Sequence, residues 1–309
     1  QRIEKQYQKG FLSATSEFKN IKNTDVIIIC VPTPLNVHRE PDLSFINKTM
    51  ESIKDFLREG QILILESTTY PGTTEEKINP ILENQGFTTG KNIFLVYSPE
   101  REDPGNAIYN TKNTTKVLGG FTRKCTYLGK IFYESFIEKV FTVSSTRAAE
   151  MTKLVENVQR AVNIGLVNEL KLISESLNID IYEVIKAAST KPFGFTPFFP
   201  GPGLGGHCIP IDPFYLSWKA KEYGINLKFI ELAGEINSSM PNYIVTRIIE
   251  YFNTHSKTIR SSKILILGLS YKKNVDDLRE SASLRLINYL IKNKIKYEFS
   301  DPFIKKKID

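Results

Sequence analysis

The chain has 309 residues, 41% of them hydrophobic and 24% charged, with a formal net charge of +7. That composition is ordinary for a soluble globular protein of two or three domains. Its scattered lysines, with Lys305–Lys307 as the only run of three, argue against nucleic-acid binding. No apolar stretch approaches the ~20 residues of a membrane helix. No signal peptide is read, so a cytoplasmic protein without a membrane partner is expected. Cys30, Cys125 and Cys208 are three in number and far apart, with no CxxC pair. Neither a disulfide framework nor a metal site is expected.

Residues 1–20 read as a polar helical piece followed by FLSAT as a short strand. Asp25–Val31 is an apolar run bounded by VPTP, which predicts a buried parallel strand with Cys30 in the core. Helical spacing follows over Pro41–Arg58, then a buried strand over Gln61–Glu66 and a helix over Glu76–Asn84. Strands over Asn92–Tyr97 and Thr115–Leu118, a helix over Arg123–Phe136 and a strand over Lys139–Val143 complete the series. Strands alternating with helices imply an α/β, doubly wound, Rossmann-like parallel sheet. Ligands of such sheets bind beyond the carboxyl ends of the strands. Three polar turns stand there: VPTP at 31–34, ESTTYPGTT at 66–74 and YSPERE at 97–102.

From Ala148 the apolar period changes. Met151, Val155, Val158, Val162, Leu166, Leu170, Ile173 and Leu177 repeat at spacings of three and four, predicting one long amphipathic helix. Lys153 and Asn157 share a face roughly opposite Val155. On spacing alone they are a solvated polar pair as readily as a functional one. Asp180–Glu183 resembles a capping box starting a short helix to Ala188. Helices are expected near Ser217–Tyr223 and Phe229–Ser238, with a further one starting at Pro241 and reaching Phe252. A second α/β unit follows: strand Lys263–Leu267, the loop GLSYKKNVDDLRES, helix 283–293, strand 295–299, then SDP.

Between these helices lies Gly201–Pro213, GPGLGGHCIPIDP. Its glycines and prolines exclude a helix interior and imply a loop of fixed shape. The loop presents the Cys208 thiol and, four residues on, the Asp212 carboxylate. Read alone, it is either a surface turn with a structural cysteine or a loop shaped to a ligand. A Cys–His hydrolase built on His207 and Cys208, with His38 or His255 as partner, is disfavoured because adjacent side chains diverge.

GGHCIPIDPFYL, with KPFGFTPFFPGPG ahead of it, resembles the catalytic loop of the UDP-glucose/GDP-mannose dehydrogenase family. Within that family it looks most like the UDP-N-acetylglucosamine 6-dehydrogenase group. The resemblance covers nearly the whole chain. It implies an NAD-binding domain at 1–145, a central helical dimerisation and catalytic domain at 146–240, and a UDP-sugar-binding domain from 241 to 309. It implies NAD-dependent four-electron oxidation of a sugar C6 alcohol to a uronate, feeding surface polysaccharide precursors. The substrate expected is a UDP-N-acetylhexosamine, with UDP-glucose, or an inactive dimerising scaffold, as alternatives.

Residue by residue, the resemblance makes Cys208 the nucleophile, with Lys153 and Asn157, from EMTKLVEN, stabilising the oxyanion. Asp212 with Thr68 would position the hydrolytic water, and Glu100 would assist proton transfer. Val31, Pro32, Thr33, Ser67 and Thr68 would line NAD, and Arg279 would reach it. Gly205 and Lys272 would contact the sugar nucleotide. UDP-glucose members carry a second glutamate where this chain has Pro104, so that role does not transfer. The apolar face of the long helix would build a homodimer core. The family's opening strand and GxGxxG turn are not found, nor is the full length of its last domain. The NAD-binding and UDP-sugar domains are therefore expected to be incomplete, the chain being an internal part of a longer enzyme.

Overall fold

The computed structural model describes residues 2–304 apart from Val37, Pro104, Gly105, Ala107, His207, Cys208, Ser256, Arg260 and Ser261. The chain divides into two units. The first comprises residues 1–33, 42–101 and 111–150, and the second residues 34–41, 102–110 and 151–309.

The first unit opens with α1 (Arg2–Gln8) and a polar stretch. FLSAT is not a strand: it pairs with nothing in the sheet, and Phe11 is 82% exposed. Strands β1 (Val26–Ile29), β2 (Ile62–Leu65), β3 (Phe94–Tyr97), β4 (Lys116–Gly120) and β5 (Val140–Thr142) lie side by side in chain order. The register runs Val26↔Ile62 and Ile62↔Phe94, with β1, β2 and β3 parallel, and Lys116↔Val140, with β4 and β5 parallel. The pairing of β3 with β4 is antiparallel. A parallel crossover normally needs a helix to carry the chain back. The 98–115 connection has no helix among its described residues, so β4 returns alongside β3 instead.

Helices α2 (Ser44–Ile53), α3 (Asn79–Asn84) and α4 (Arg123–Glu134) complete this unit, α3 being preceded by a wide helical turn over Thr74–Ile78. Thr122 caps α4 by accepting from the Cys125 N–H. The apolar face of α4 buries Cys125, Tyr133 and the following Ile137 against Ile64, Phe94, Val96 and Leu118. Cys30 departs from the core expectation. It is the first residue past β1, is exposed, and points its thiol at Glu66 Oε2 at 3.7 Å.

Helix α5 (Thr146–Ser176) is a single run of 31 residues, and the division between units falls within it. In the second unit follow α6 (Ile181–Ala188), α7 (Asp212–Lys221) and α8 (Lys228–Thr254). Asp180 caps α6 by accepting from the Tyr182 N–H. The two helices expected on either side of Pro241 are one, with Pro241 in its interior. Proline at 241 cannot bond to the carbonyl of Asn237 one turn earlier. That carbonyl packs instead on Gly203, where a Cβ would lie 2.6 Å from it. Gly203 also has φ +114°, so the loop needs glycine there twice over.

Strands β6 (Lys263–Leu267) and β7 (Lys296–Ser300) pair in parallel across α9 (Ala282–Lys292). Val245 of α8 joins Ile266, Leu269, Ile287, Leu290 and Ile295 in their core. The carboxylate of Asp301 accepts from the N–H groups of Leu269 (2.7 Å) and Phe303 (2.8 Å). The turn after β6, which leads to Lys272, is thereby fixed to the end of β7.

Candidate active site

The expected cofactor-lining residues come together in the first unit. Val31–Thr33 leave the carboxyl end of β1, and Ser67 and Thr68 leave that of β2. Ser67 Oγ donates to the Val31 carbonyl at 2.7 Å, and Thr33 Oγ1 donates to the Thr68 carbonyl at 2.7 Å. Ser67 and Thr33 are both buried, so the two turns are stitched to each other by paired hydroxyls. Thr69 Oγ1, in the same turn, is a buried hydroxyl with no hydrogen-bond partner among the described residues. Glu100 is exposed past the end of β3.

Beneath these turns lies a charged cluster that sequence reasoning missed. Lys116 Nζ sits 2.8 Å from Glu66 Oε1, the side chains being 10% and 16% exposed. The Tyr133 hydroxyl donates to the same oxygen. Although Cys30 is exposed, partial desolvation of its thiol, then the Glu66 charge, pushes it up to about 11, which favours the protonated form. Cys125 is fully buried, accepts from the Leu95 N–H at 3.4 Å and is structural. A charged residue at one end of each of two otherwise apolar strands, Glu66 just past β2 and Lys116 at the start of β4, was the available signal. With Glu66 neutralised by Lys116, the strand ends present hydroxyls and backbone rather than net negative charge. That donor set fits a dinucleotide.

The second unit gathers the other group. Lys153 and Asn157 are 6% and 0% exposed, so they are not a solvated stripe. Asn157 Nδ2 donates to Asp212 Oδ2 in the first turn of α7, and Arg160 donates to Asn157 Oδ1. Arg160 is seven residues past Lys153, on the same helical face, and that spacing was the missed signal. Asp212 is buried, and desolvation pushes its carboxyl up to about 7. The Asn157 bond and the charges of Lys153 and Arg160 pull it back. Such a group can take or give a proton near neutral pH. Cys208 itself lies outside the described residues.

The loop carrying Cys208 is anchored by amides. Gly201 N–H donates to Asn168 Oδ1 (2.9 Å), Asn168 Nδ2 to Asn237 Oδ1 (2.8 Å), and Asn237 Nδ2 to the Ala161 carbonyl (3.0 Å). Gly205 lies against Tyr271, where a Cβ would come 2.9 Å from the tyrosine Cβ. Gly206 N–H donates to the Arg279 carbonyl at 3.3 Å. Lys272 is ion-paired with Asp103, whose carboxyl it holds below the usual range. Arg279 forks onto Asp277, and with Arg285 it lines a cavity of about 460 Å³ beside Leu204 and Ile211.

Three family models match in succession: the NAD binding domain of the UDP-glucose/GDP-mannose dehydrogenase family over residues 1–137, its central domain over 147–239, and its UDP binding domain over 265–309. A UDP-N-acetyl-D-glucosamine 6-dehydrogenase of Salmonella typhi is 37% identical over 95% of this chain and 69% of its own length. The chain belongs to this dehydrogenase family. A UDP-N-acetyl-D-mannosamine dehydrogenase of Methanocaldococcus jannaschii is 38% identical over 87% of this chain and 60% of its own length. The solved UDP-D-ManNAc dehydrogenase from Pyrococcus horikoshii superposes with a TM-score of 0.92 at 32% identity, covering 100% of this chain and 72% of that one. The chain thus spans 60–69% of the two curated relatives named. The Rossmann-like fold class stands, and NAD is the cofactor of the matched domain. Among the described residues no helix is long and apolar enough to cross a membrane.

Proposed function

We propose that the intact enzyme oxidises C6 of a UDP-N-acetylhexosamine to the uronate, using Cys208 as nucleophile. The observation that carries the reading is the buried set of Lys153, Asn157 and Asp212, gathered by α5 and α7 at the foot of the Cys208 loop. Bound NAD supplies a hydride acceptor, two being needed for each sugar. Val31–Thr33, Ser67 and Thr68 would hold it, with Arg279 reaching toward it.

The chain's own groups do the rest. Lys153 and Asn157 donate to the oxygen that gains charge when the Cys208 thiolate adds to the C6 aldehyde. The thioester left after the second oxidation needs water. Asp212, with a carboxyl near 7, accepts its proton, Thr68 helps to place it, and Glu100 assists proton transfer. The thiolate then departs and returns to the start of the cycle. Gly205 gives its backbone to the sugar, and Lys272 exchanges Asp103 for the nucleotide sugar. The relatives named for UDP-N-acetylglucosamine and UDP-N-acetylmannosamine support an N-acetylhexosamine without choosing between the epimers.

The exposed apolar stripe of α5, with Leu166 51% and Ile173 52% exposed, supports a homodimer through this helix. Initial rates of the intact enzyme on UDP-GlcNAc, UDP-ManNAc and UDP-glucose test the substrate reading. Two NADH per sugar and a higher kcat/KM for an N-acetyl sugar are expected. Preference for UDP-glucose refutes the substrate class, and one NADH per sugar refutes the four-electron course.

A further inference from the structure

Glu150, in the N-terminal part of α5, is fully buried within the first unit. Its Oε2 accepts from the Gly72 N–H at 2.5 Å. Its Oε1 accepts from the Thr74 N–H at 2.9 Å and from Thr74 Oγ1 at 2.7 Å. Two of the three partners are N–H groups that can only donate, so an ionised carboxylate satisfies the arrangement best. Gly72 and Thr74 end the turn that begins with Ser67 and Thr68. That turn is fixed at its start by the hydroxyl ties to Val31 and Thr33, and at its end by Glu150.

The surrounding charges are spoken for. Arg147, one turn before Glu150, pairs with Glu75 at 2.6 Å and Glu76 at 3.2 Å. Thr146 donates to Glu75 at 2.9 Å. The carboxylates of Glu75 and Glu76 and the Arg147 guanidinium are thus the charged groups packed around this junction.

We propose that Glu150 is a positioning residue for the cofactor turn, its carboxylate fixing Gly72–Thr74 so that Ser67 and Thr68 meet NAD in register. The proposal rests on the reading of Ser67 and Thr68 as NAD-lining residues. Burial pushes the Glu150 carboxyl up to about 7, the three donors pulling against it and Glu75 adding to the rise. Protonation therefore falls within the working range. A proton there meets N–H donors, loosens the turn, and weakens NAD as pH falls.

The test uses the intact enzyme, with NAD binding measured by calorimetric titration and kcat and both KM values followed beside it, from about pH 6 to about pH 9; the Kd for NAD is expected to move with its KM. In the wild type the KM for NAD is expected to rise several-fold as pH falls through about 7, while that for the UDP-sugar stays level. Glu150→Gln should carry a KM for NAD raised about tenfold, as for a lost bond to a charged group, at every pH. Thr74→Val should raise it less and keep the pH dependence. A level wild-type profile for NAD overturns the proposal. So does a Glu150→Gln that raises both KM values alike, the mark of a merely structural role. If Glu150→Gln does not fold, the wild-type profile and Thr74→Val decide. Thr68→Ala separates the two claims. If it leaves the KM for NAD unchanged, the cofactor reading fails and this proposal with it. If Thr68→Ala raises that KM and Glu150→Gln does not, this proposal alone fails.

Discussion

Replacing Asp212 by Asn should make the protein more stable at alkaline pH while removing its activity. The Asp212 carboxyl is buried, and desolvation pushes it from 3.8 to about 7 against the Asn157 bond and the Lys153 and Arg160 charges. A carboxyl whose folded value is raised binds its proton more tightly in the folded state. Its contribution is fully present below the unfolded value and is lost as pH rises to the folded one. Between about pH 5 and about pH 8 the loss spans about two decades at about 1.4 kcal/mol each, or about 3 kcal/mol.

Asparagine has the same shape, does not titrate, and can still accept from Asn157 Nδ2. The variant therefore escapes this loss, gaining about 3 kcal/mol on the wild type across the interval, or about 6–12 °C in Tm for a unit of this size. Urea unfolding followed by circular dichroism, wild type against variant at both pH values, cancels every other group that titrates in the window. A difference that is the same at both pH values would refute the reasoning. It would mean that Lys153 and Arg160 keep Asp212 ionised throughout.

Lys116→Met should cost about 3–5 kcal/mol in urea unfolding, because it strands the largely buried Glu66 carboxylate with the Tyr133 hydroxyl and the Cys30 thiol and no opposite charge from Lys116. Adding Glu66→Leu should recover most of that loss, and a double variant no better than the single one would refute the pairing. Leu170→Glu, on a side chain 41% exposed, should change unfolding by only about 0.5 kcal/mol. Sedimentation of the intact enzyme should show it shifted from dimer to monomer, and a variant that still sediments as a dimer removes the stripe from the interface.

Most elements were legible because their periods were clean: β6 lies where the apolar run placed it, and α5 begins two residues from where the period changes. The opposition of Val155 to Lys153 and Asn157 was also legible, since helical geometry fixes it. Which face would be buried was not. The single chain leaves Val155 49% exposed and closes over the polar pair, inverting the usual amphipathic rule. The bond from Asn157 to Asp212 joins residues 55 apart and exists only because α5 and α7 pack, so no spacing announces it. Pro241 misled for a different reason. Its local signal to begin a helix is real, but Gly203 accommodates the carbonyl that proline leaves unbonded, and α8 continues through it. FLSAT has strand-like residues but pairs with no strand among the described residues.

The amide chain from Gly201 through Asn168 and Asn237 carries no formal charge, whereas Lys272 meets Asp103, whose side chain is 55% exposed, as an ion pair. Ionic strength acts on the second kind of contact and hardly on the first, since salt weakens attraction between solvent-exposed charges and leaves uncharged amide bonds alone. Added salt should therefore release the Lys272 ammonium from Asp103 while the root of the Cys208 loop stays where the amides hold it. On the role proposed for Lys272, sugar-nucleotide affinity would then track the salt concentration of the medium, and the placement of the loop that carries Cys208 would not.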